Sequence, residues 1–321
     1  MQRRHLLSLA LSAPLAAGSC QALAQSPTAP LKMVVPYPAG GFTDVVSRMV
    51  GERLQTMLGR TVVVENRAGA GTNLAAEFVA RAPADGATVL MGTSSLAINP
   101  SLYPKLSYSP QKDLRPLGVF ATTGYALLAR KDLKANSVAE LIALAKARPG
   151  SLNYGSSGNG AVNHLAGELF ESMTGTYLVH IPYRGSQAAI TDLVGGQIDL
   201  YWSSILEAQS LLAADRVKVL GLTNQKSSEA LPKVGLIGDT VKGYEVEFWM
   251  GLLVPAATPA AATAGIEQAI RSIANDASFK AELTRRGAQA RYADAAAARS
   301  LLASETVRWA DVVKRSGAKV D

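Results

Sequence analysis

Short runs of aliphatic and β-branched residues alternate along the chain with longer segments in which apolar residues recur every three or four positions. The short runs predict buried strands, and the longer segments predict amphipathic helices. Strands are predicted at 32–36, 61–65, 88–92, 118–130, 151–154, 177–182, 197–202, 217–223 and 247–255. The C-terminal segment is predicted to be mostly helical, with Gly287 ending one helix and Asp294 capping the last. This alternation is typical of an α/β fold with mainly parallel sheets flanked by helices.

Two long extended runs divide this pattern into two groups of elements. The run from Gly118 to Arg130 leads from the first group into the second, and the apolar run from Glu247 to Pro255 leads back. Two crossings between two α/β units are typical of a receptor whose lobes close about a hinge. We predict a first lobe of residues 25–124 plus 248–321 and a second lobe of residues 125–247.

The N-terminus carries the pattern of an export signal. Arg3 and Arg4 precede an apolar run, 6–17, which is followed by the small-residue triplet 22–24. This order predicts a signal peptide of residues 1–24 and a periplasmic location, because the apolar run is much shorter than the ~20 residues of a membrane-spanning helix. A twin-arginine signal and lipid attachment at Cys20, the sole cysteine, stay open as alternatives. Cleavage after residue 24 would leave no cysteine for a disulfide.

The charge pattern bears on the partners. The formal net charge is +7, but the lysines and arginines are scattered along the chain instead of clustered. Nucleic acid is therefore not expected as a partner. A mild positive field suits anionic solutes or simply solubility.

Motifs for metal or covalent chemistry are sparse. His164 and His180 stand without cysteines or a carboxylate cluster at metal-ligand spacing, so no metal and no cofactor is predicted. The sequence also lacks a nucleophile elbow, a phosphate-binding P-loop and a full dinucleotide-binding glycine motif. A remote alternative is an exported serine hydrolase that would use Ser156 or Ser157, with His164 as base and Glu168 as its orienting carboxylate.

Four turns of small residues stand where predicted strands lead into predicted helices. They span residues 36–44, 92–95, 155–161 and 182–186. Free backbone N–H groups and the positive end of a helix dipole can hold an anion at such a turn. Two turns fall in each predicted lobe, which favours an anion-binding cleft between the lobes. Thr43 or Asp44 can cap the helix that follows the first turn.

Longer segments around these turns resemble a known family. They are VVPYPAGGFTD at 34–44, VVVENRAGAGTN at 62–73, LNYGSSGNGAVNHLAGELF at 152–170, IPYRGSQAAITDLVGGQIDL at 181–200 and GYEVEFWMGLLVPAATP at 243–259. Through them the chain resembles the substrate-binding receptors of tripartite tricarboxylate transporters, the Bug-type periplasmic proteins. The resemblance implies a two-lobed type II periplasmic-binding-protein fold, or Venus flytrap, with two crossing hinge strands. It also implies a carboxylate held between the lobes by backbone amides, hydroxyls and ordered water.

The resemblance carries a set of ligand-binding residues with it. They are Tyr37, Gly40, Gly41, Thr43, Asp44, Thr93 and Ser94 in the first lobe, and Ser156, Ser157, Gly158, Tyr183, Arg184 and Ser203 in the second. Asp44 is expected to cap a helix, because like charges repel an anionic ligand. His164 is expected to be a buried structural residue. Family members often carry Asp where Ser203 stands, so a polar contact to an ammonium or hydroxyl group is lost here. They also commonly carry Ser or Thr where Ala161 stands, so the two departures favour a less polar or bulkier organic acid.

The resemblance further implies no catalysis and no cofactor. The expected partner is a two-component membrane permease that takes the loaded receptor. An alternative is a sensory module that presents the carboxylate-loaded form to a signalling protein. A monomer is expected, because a receptor that must open, close and present both lobes gains little from burying them.

Overall fold

The computed structural model describes residues 29–183, 185–224, 226–318 and 320. The predicted signal segment, with Cys20, lies outside these residues. The strands are β1 Leu31–Val35, β2 Val62–Asn66, β3 Thr88–Thr93, β4 Leu114–Arg130, β5 Asn153–Ser156, β6 Val179–Pro182, β7 Leu200–Ser204, β8 Val217–Leu222, β9 Glu247–Pro255 and β10 Gln289–Asp294. The helices are α1 Phe42–Leu58, α2 Asn73–Ala80, α3 Ser95–Leu102, α4 Pro110–Asp113, α5 Val138–Ala147, α6 Val162–Thr174, α7 Ser186–Val194, α8 Ile205–Ala213, α9 Ile237–Thr240, α10 Ala260–Asn275, α11 Ala277–Arg285 and α12 Ala295–Ser316.

The strands pair in the order β2-β1-β3-β9-β4-β7-β5-β6, with β8 and β10 also pairing with β4. Pairing is parallel between β1 and its neighbours β2 and β3, and between β5 and its neighbours β6 and β7. These are the strands that helices connect, as the alternating pattern predicts. The crossing strands β4 and β9 pair antiparallel to each other and to their other neighbours, so the sheets are mixed.

The long strand β4 takes part in two sheets. Its first part pairs with β9 as far as Gly124, and from Tyr125 onward it pairs with β7 and β8. Beside this change of partner, the Thr223 hydroxyl accepts the N–H of Tyr125 at 2.8 Å and donates to the Val246 carbonyl at 2.6 Å. Thr223 thus links β4 at Tyr125 to the segment that enters β9 at Val246, where both segments pass between the sheets.

Apolar residues of the central strands form the core. Met33, Val89 and Leu252 on β1, β3 and β9 are fully buried beneath the flanking helices. Trp202 on β7 is also fully buried, with edge-on contacts to aromatic neighbours. The C-terminal helix α12 packs against α3 and α6, and its Trp309 is fully buried. In the described part of the chain, no helix combines the length and the apolar character needed to span a membrane.

The C-terminal segment departs from the mostly helical prediction. Gly287 follows α11 with φ +72°, and Asp294 caps α12 by accepting the N–H of Ala297 at 2.9 Å, both as predicted. Between them lies β10, which pairs antiparallel with β4. Its side chains are exposed or only partly buried, so the sequence shows no run of strand-forming apolar residues there. Helix α3 was also not predicted, because Pro100 and its neighbouring small residues are typical of a turn.

Candidate functional site at the edges of the two sheets

Each predicted turn follows the carboxyl end of a parallel strand, namely β1, β3, β5 or β6. Parallel strands bring their carboxyl ends to one edge of a sheet, where ligands bind in open α/β folds. In the first lobe, the Tyr37 hydroxyl joins two turns, lying 3.3 Å from Thr93 Oγ1 and 3.2 Å from Ser95 Oγ. In the second lobe, the Ser156 carbonyl accepts the N–H of Tyr183 at 3.0 Å. The four turns therefore form two pairs.

The helices that follow these turns begin without side-chain caps. The N-cap residues of α1, α3, α6 and α7 are Gly41, Ser94, Ala161 and Gly185, and none of them accepts a first-turn N–H through its side chain. By contrast, Ser137, Ser204, Asp276 and Asp294 cap α5, α8, α11 and α12. Helices α2 and α10 are uncapped as well. Uncapped first turns leave N–H groups available to an anion.

Asp44 holds the first turn together. Its carboxylate accepts the N–H of Gly40 at 2.9 Å, the Nδ2 of Asn66 at 2.8 Å and the Nε of Arg48 at 3.0 Å. Burial acts to raise the pKa of Asp44, but the hydrogen bonds from Arg48, Gly40 and Asn66 outweigh it and leave the pKa below its ordinary value. The ionised carboxylate thus orders the turn beside Gly40, whose φ of +83° favours glycine. The prediction that Thr43 or Asp44 caps this helix is wrong, because the N-cap is Gly41 and both residues lie within the first turn of α1. Thr43 is buried.

Ser94 and Thr93 differ in what their hydroxyls contact. The Ser94 hydroxyl donates to the Glu247 carbonyl at 3.2 Å and accepts the N–H of Trp249 at 3.0 Å. Both partners lie on β9, so this side chain ties the second turn to the crossing strand. The Thr93 hydroxyl contacts Tyr37 and stays beside the first turn.

The third turn is held by internal hydrogen bonds. Ser156 Oγ lies 2.7 Å from His180 Nε2 and donates to the Gly158 carbonyl at 3.0 Å. Ser157 donates to Asn163 Oδ1 through its N–H at 3.2 Å and through its hydroxyl at 3.1 Å. Gly158 has φ +137°, a conformation that other residues rarely adopt. The two serines therefore shape the loop through these hydrogen bonds.

Two stacked histidines lie behind this turn. The His164 and His180 ring centroids are 3.8 Å apart, with an interplanar angle of 14°. His164 Nδ1 accepts the N–H of Gly160 at 3.0 Å, and its Nε2 lies 3.4 Å from Glu168 Oε1. Burial, with the adjacent His164, lowers the pKa of His180 to about 4. His164 is buried, as expected of a structural residue.

This arrangement corrects the geometry of the serine hydrolase alternative. The histidine next to Ser156 is His180, not His164, whose Nδ1 is taken by Gly160. Among the described residues, no carboxylate hydrogen-bonds to His180. The base therefore lacks the orienting group that a catalytic triad requires.

The remaining predicted residues lie at the fourth turn and at the end of β7. The Tyr183 hydroxyl donates to Asp192 Oδ2 at 2.7 Å, which directs it toward α7. Arg184 lies outside the described residues. Ser203 is fully buried, and its hydroxyl donates to Glu207 Oε2 at 3.1 Å.

Aromatic residues that the predicted set omits also lie at this site. The Phe248 ring makes an edge contact with Tyr37 at 6.2 Å. Tyr201 Oη accepts Asn163 Nδ2 at 3.0 Å. Burial raises the pKa of Tyr125, and the nearby Tyr37, Tyr201 and Glu207 raise it further. Tyr125 lies where β4 changes its pairing partners, so an aromatic residue at the predicted start of the second lobe was the sequence signal for it.

Two other kinds of site can be considered in the described part of the chain, a metal site and a surface cavity. The described residues contain no group of three or more His, Cys, Asp or Glu side chains that could hold a metal ion. A surface cavity of about 310 Å³ lies elsewhere, between α10, β10 and the start of α12. On its wall, Arg271 Nε donates to Tyr292 Oη at 3.1 Å. We therefore locate the candidate site at the four turns.

Known proteins resemble this chain in both sequence and structure. The family model of the tripartite tricarboxylate transporter family receptor, TctC, matches residues 46–318. Protein BugT of Bordetella pertussis is 34% identical over 304 residues, which are 92% of this chain and 91% of BugT. The structure of R. palustris Rpa4515 with adipate superposes with a TM-score of 0.83 at 32% identity, covering 92% of this chain and 99% of that one. MatC from Rhodopseudomonas palustris with bound malate gives a TM-score of 0.76 at 29% identity, covering 88% and 98%. These matches confirm the predicted α/β, two-lobed type II fold.

Proposed function

The chain belongs to the tripartite tricarboxylate transporter receptor family, and on this premise we propose that it captures a small organic carboxylate between its lobes for a two-component membrane permease. A member of this family is a solute-binding receptor and not an enzyme. The proposed place of capture is the periplasm, reached through a signal peptide of residues 1–24. The ligands of the two similar structures, adipate and malate, support a carboxylate.

The observation that carries the proposal is the set of uncapped helix starts at the carboxyl edges of both sheets. Helices α1 and α3 belong to the first proposed lobe, and α6 and α7 to the second. Each offers first-turn N–H groups and the positive end of its dipole. An anion between them satisfies donors from both lobes at once, which favours closure around it.

We assign the ligand contacts in two classes. Backbone contacts are proposed for Gly40, Gly41, Thr43, Ser94, Ser156, Ser157, Gly158 and Arg184. Side-chain or water-mediated contacts are proposed for Tyr37, Thr93 and Tyr183. Asp44 acts by holding the first turn, and the buried Ser203 acts by hydrogen-bonding to Glu207. Backbone donors suit an anion because they bring no competing charge.

The proposed lobes are residues 25–124 plus 248–321 and residues 125–247. In support, β4 changes its partners between Gly124 and Tyr125. The lobes also touch across the site, since a Cβ on Gly160 would lie 1.8 Å from Leu102 Cδ2 on α3. Closure thus brings α3 directly onto the third turn.

The test is thermal unfolding of protein refolded to remove bound ligand, against mono-, di- and tricarboxylates. Ligand at ~1,000 times its Kd stabilises by ~4 kcal/mol, enough to raise the Tm by several degrees. The matched primary amides and alcohols serve as uncharged controls. We expect a shift confined to carboxylates. A folded protein whose Tm responds to no carboxylate contradicts the proposal.

A further inference from the structure

Helix α8 also begins at the carboxyl edge of the second lobe's sheet. Its N-cap Ser204 ends β7, which runs parallel to β5, and Ser204 is in register with Tyr125 on the crossing strand β4. From the first lobe, Gly287 packs against Ile205, since a Cβ on Gly287 would lie 2.5 Å from Ile205 Cγ2. The start of α8 therefore lies at the hinge end of the cleft, where both lobes meet.

Unlike the four helices that follow the predicted turns, α8 has a side-chain cap, and its first turn carries the carboxylate of Glu207. Glu207 Oε2 accepts the Ser204 N–H at 3.3 Å, the Ser204 hydroxyl at 2.9 Å and the Ser203 hydroxyl at 3.1 Å. In the described chain, the other oxygen, Oε1, receives no hydrogen bond, and no lysine, arginine or histidine lies within 4.0 Å of the carboxylate. The carboxylate of Asp44 at the opposite side is, by contrast, paired with Arg48.

Two tyrosines, Tyr125 and Tyr201, lie near this carboxylate, and Tyr125 is in register with the N-cap Ser204. Burial raises the pKa of Tyr125, and Tyr37, Tyr201 and Glu207 lie near enough to raise it further. Among the described residues, the Tyr125 hydroxyl has no hydrogen-bond partner. The hinge end therefore presents a carboxylate oxygen and a hydroxyl, both able to accept a hydrogen bond.

We propose that Glu207 determines the class of ligand: a monocarboxylate whose far end carries a hydrogen-bond donor, either a hydroxyl or an ammonium group. The inference rests on the proposed function, because it needs the ligand carboxylate at the uncapped helix starts. A second ligand carboxylate at the hinge end would face Glu207 with a like charge. At about 6 Å and the effective dielectric of a protein site, this repulsion weakens binding by at least about tenfold.

The inference changes the expectation attached to Ser203. Its serine replaces a carboxylate that relatives often carry, which by itself disfavours an ammonium ligand. Glu207 lies one turn further along and hydrogen-bonds to Ser203, so the negative charge is restored at the same end of β7. An amino or hydroxy acid is therefore favoured over a purely apolar acid.

Calorimetry with ligands matched in length tests this. One set is adipate, 6-aminohexanoate and 6-hydroxyhexanoate, and a second is succinate, 4-aminobutanoate and 4-hydroxybutanoate. We expect an amino or hydroxy member to bind at least about tenfold more tightly than the dicarboxylate of its set. Glu207→Gln keeps a side chain that completes a capping box but removes the charge. This variant should bind the dicarboxylate of each set more tightly than wild type does. The affinity difference between the dicarboxylate and the amino or hydroxy acid should therefore shrink by about tenfold.

The chain offers a matched control in α5. There Ser137 accepts the Glu140 N–H at 3.1 Å, and Glu140 accepts the Asn136 N–H at 2.8 Å on the exposed surface. Glu140→Gln makes the same chemical change in the same motif and should leave all affinities unchanged. Melting curves establish that each variant is folded, and the wild-type preference within each set tests the inference even if Glu207→Gln does not fold.

The outcomes separate the two proposals. If dicarboxylates bind most tightly to wild type and Glu207→Gln changes nothing, the inference is overturned and the carboxylate receptor stands. If no carboxylate binds to the folded wild-type protein, the proposed function fails, and this inference fails with it.

Discussion

His180 should make the protein lose stability in acid. Its imidazole is packed against His164 and hydrogen-bonded to Ser156, and its pKa is lowered to about 4 from an ordinary value of 6.5. In the unfolded chain the ring takes up a proton near pH 6.5, whereas in the folded protein it stays neutral until about pH 4. The stability that depends on a neutral His180 is therefore fully present above pH 6.5, and it is lost as the pH falls from 6.5 to about 4.

The size of the effect follows from linkage. A shift of one pKa unit corresponds to 1.36 kcal/mol, so lowering the pH from 7 to 4.5 should cost roughly 2–3 kcal/mol at this one residue. Glu171, whose pKa burial raises to about 7, titrates in the same pH range and contributes a slope of its own. The comparison must therefore be between the wild type and a variant that lacks only the imidazole.

Urea unfolding of wild type and His180→Gln at pH 7 and pH 4.5 provides this comparison. The glutamine can still reach Ser156 but does not titrate. We expect wild type to lose roughly 2–3 kcal/mol more than the variant between the two pH values. Equal losses in the two proteins would refute the claim that His180 is held neutral.

Three further predictions concern neighbouring parts of the site. Burial raises the pKa of Glu171 to about 7, so the stability that its protonated form contributes is present below pH 4.5 and is lost as the pH rises through 7. In urea unfolding, Glu171→Gln should stabilise the protein by about 3 kcal/mol at pH 8 and by little at pH 4. Gly160→Ala should weaken carboxylate binding about tenfold, because the added methyl group meets Leu102 and a φ of +74° strains residues other than glycine. Leu102→Ala should relieve only the steric contact and so restore part of the affinity, and calorimetry that shows no loss for Gly160→Ala would contradict the contact. Asp44→Asn should destabilise by about 1–2 kcal/mol in urea, because the first turn loses its charged acceptor, and an unchanged midpoint would contradict this role.

The sequence predicts well what depends on local pattern. Strands such as β1 and β3 contain short apolar runs, and helix α1 after β1 carries an apolar stripe, so the type and order of these elements are readable from the chain. The start of β4 was missed because Arg115 and Pro116 interrupt the strand pattern, although Pro116 is paired opposite Leu253. Tertiary pairing holds residues there that local propensity does not favour.

The site was predictable to the level of turns but not of side-chain partners. Glycines and serines mark the four turns because positive φ and close backbone approach require small residues. The contact of Ser156 with His180 and that of Ser94 with Trp249 join residues far apart in the sequence. Glu207 has the spacing of an ordinary capping box, and only the three-dimensional fold brings it to the hinge end.

The most direct test of a carboxylate held by helix starts from both lobes is a crystal structure with the carboxylate that binds most tightly. We predict its oxygens within about 3.2 Å of first-turn backbone nitrogens from one helix of each lobe, either α1 or α3 and either α6 or α7. A carboxylate found in the cavity beside Arg271 and Tyr292, or held by one lobe alone, would contradict the account.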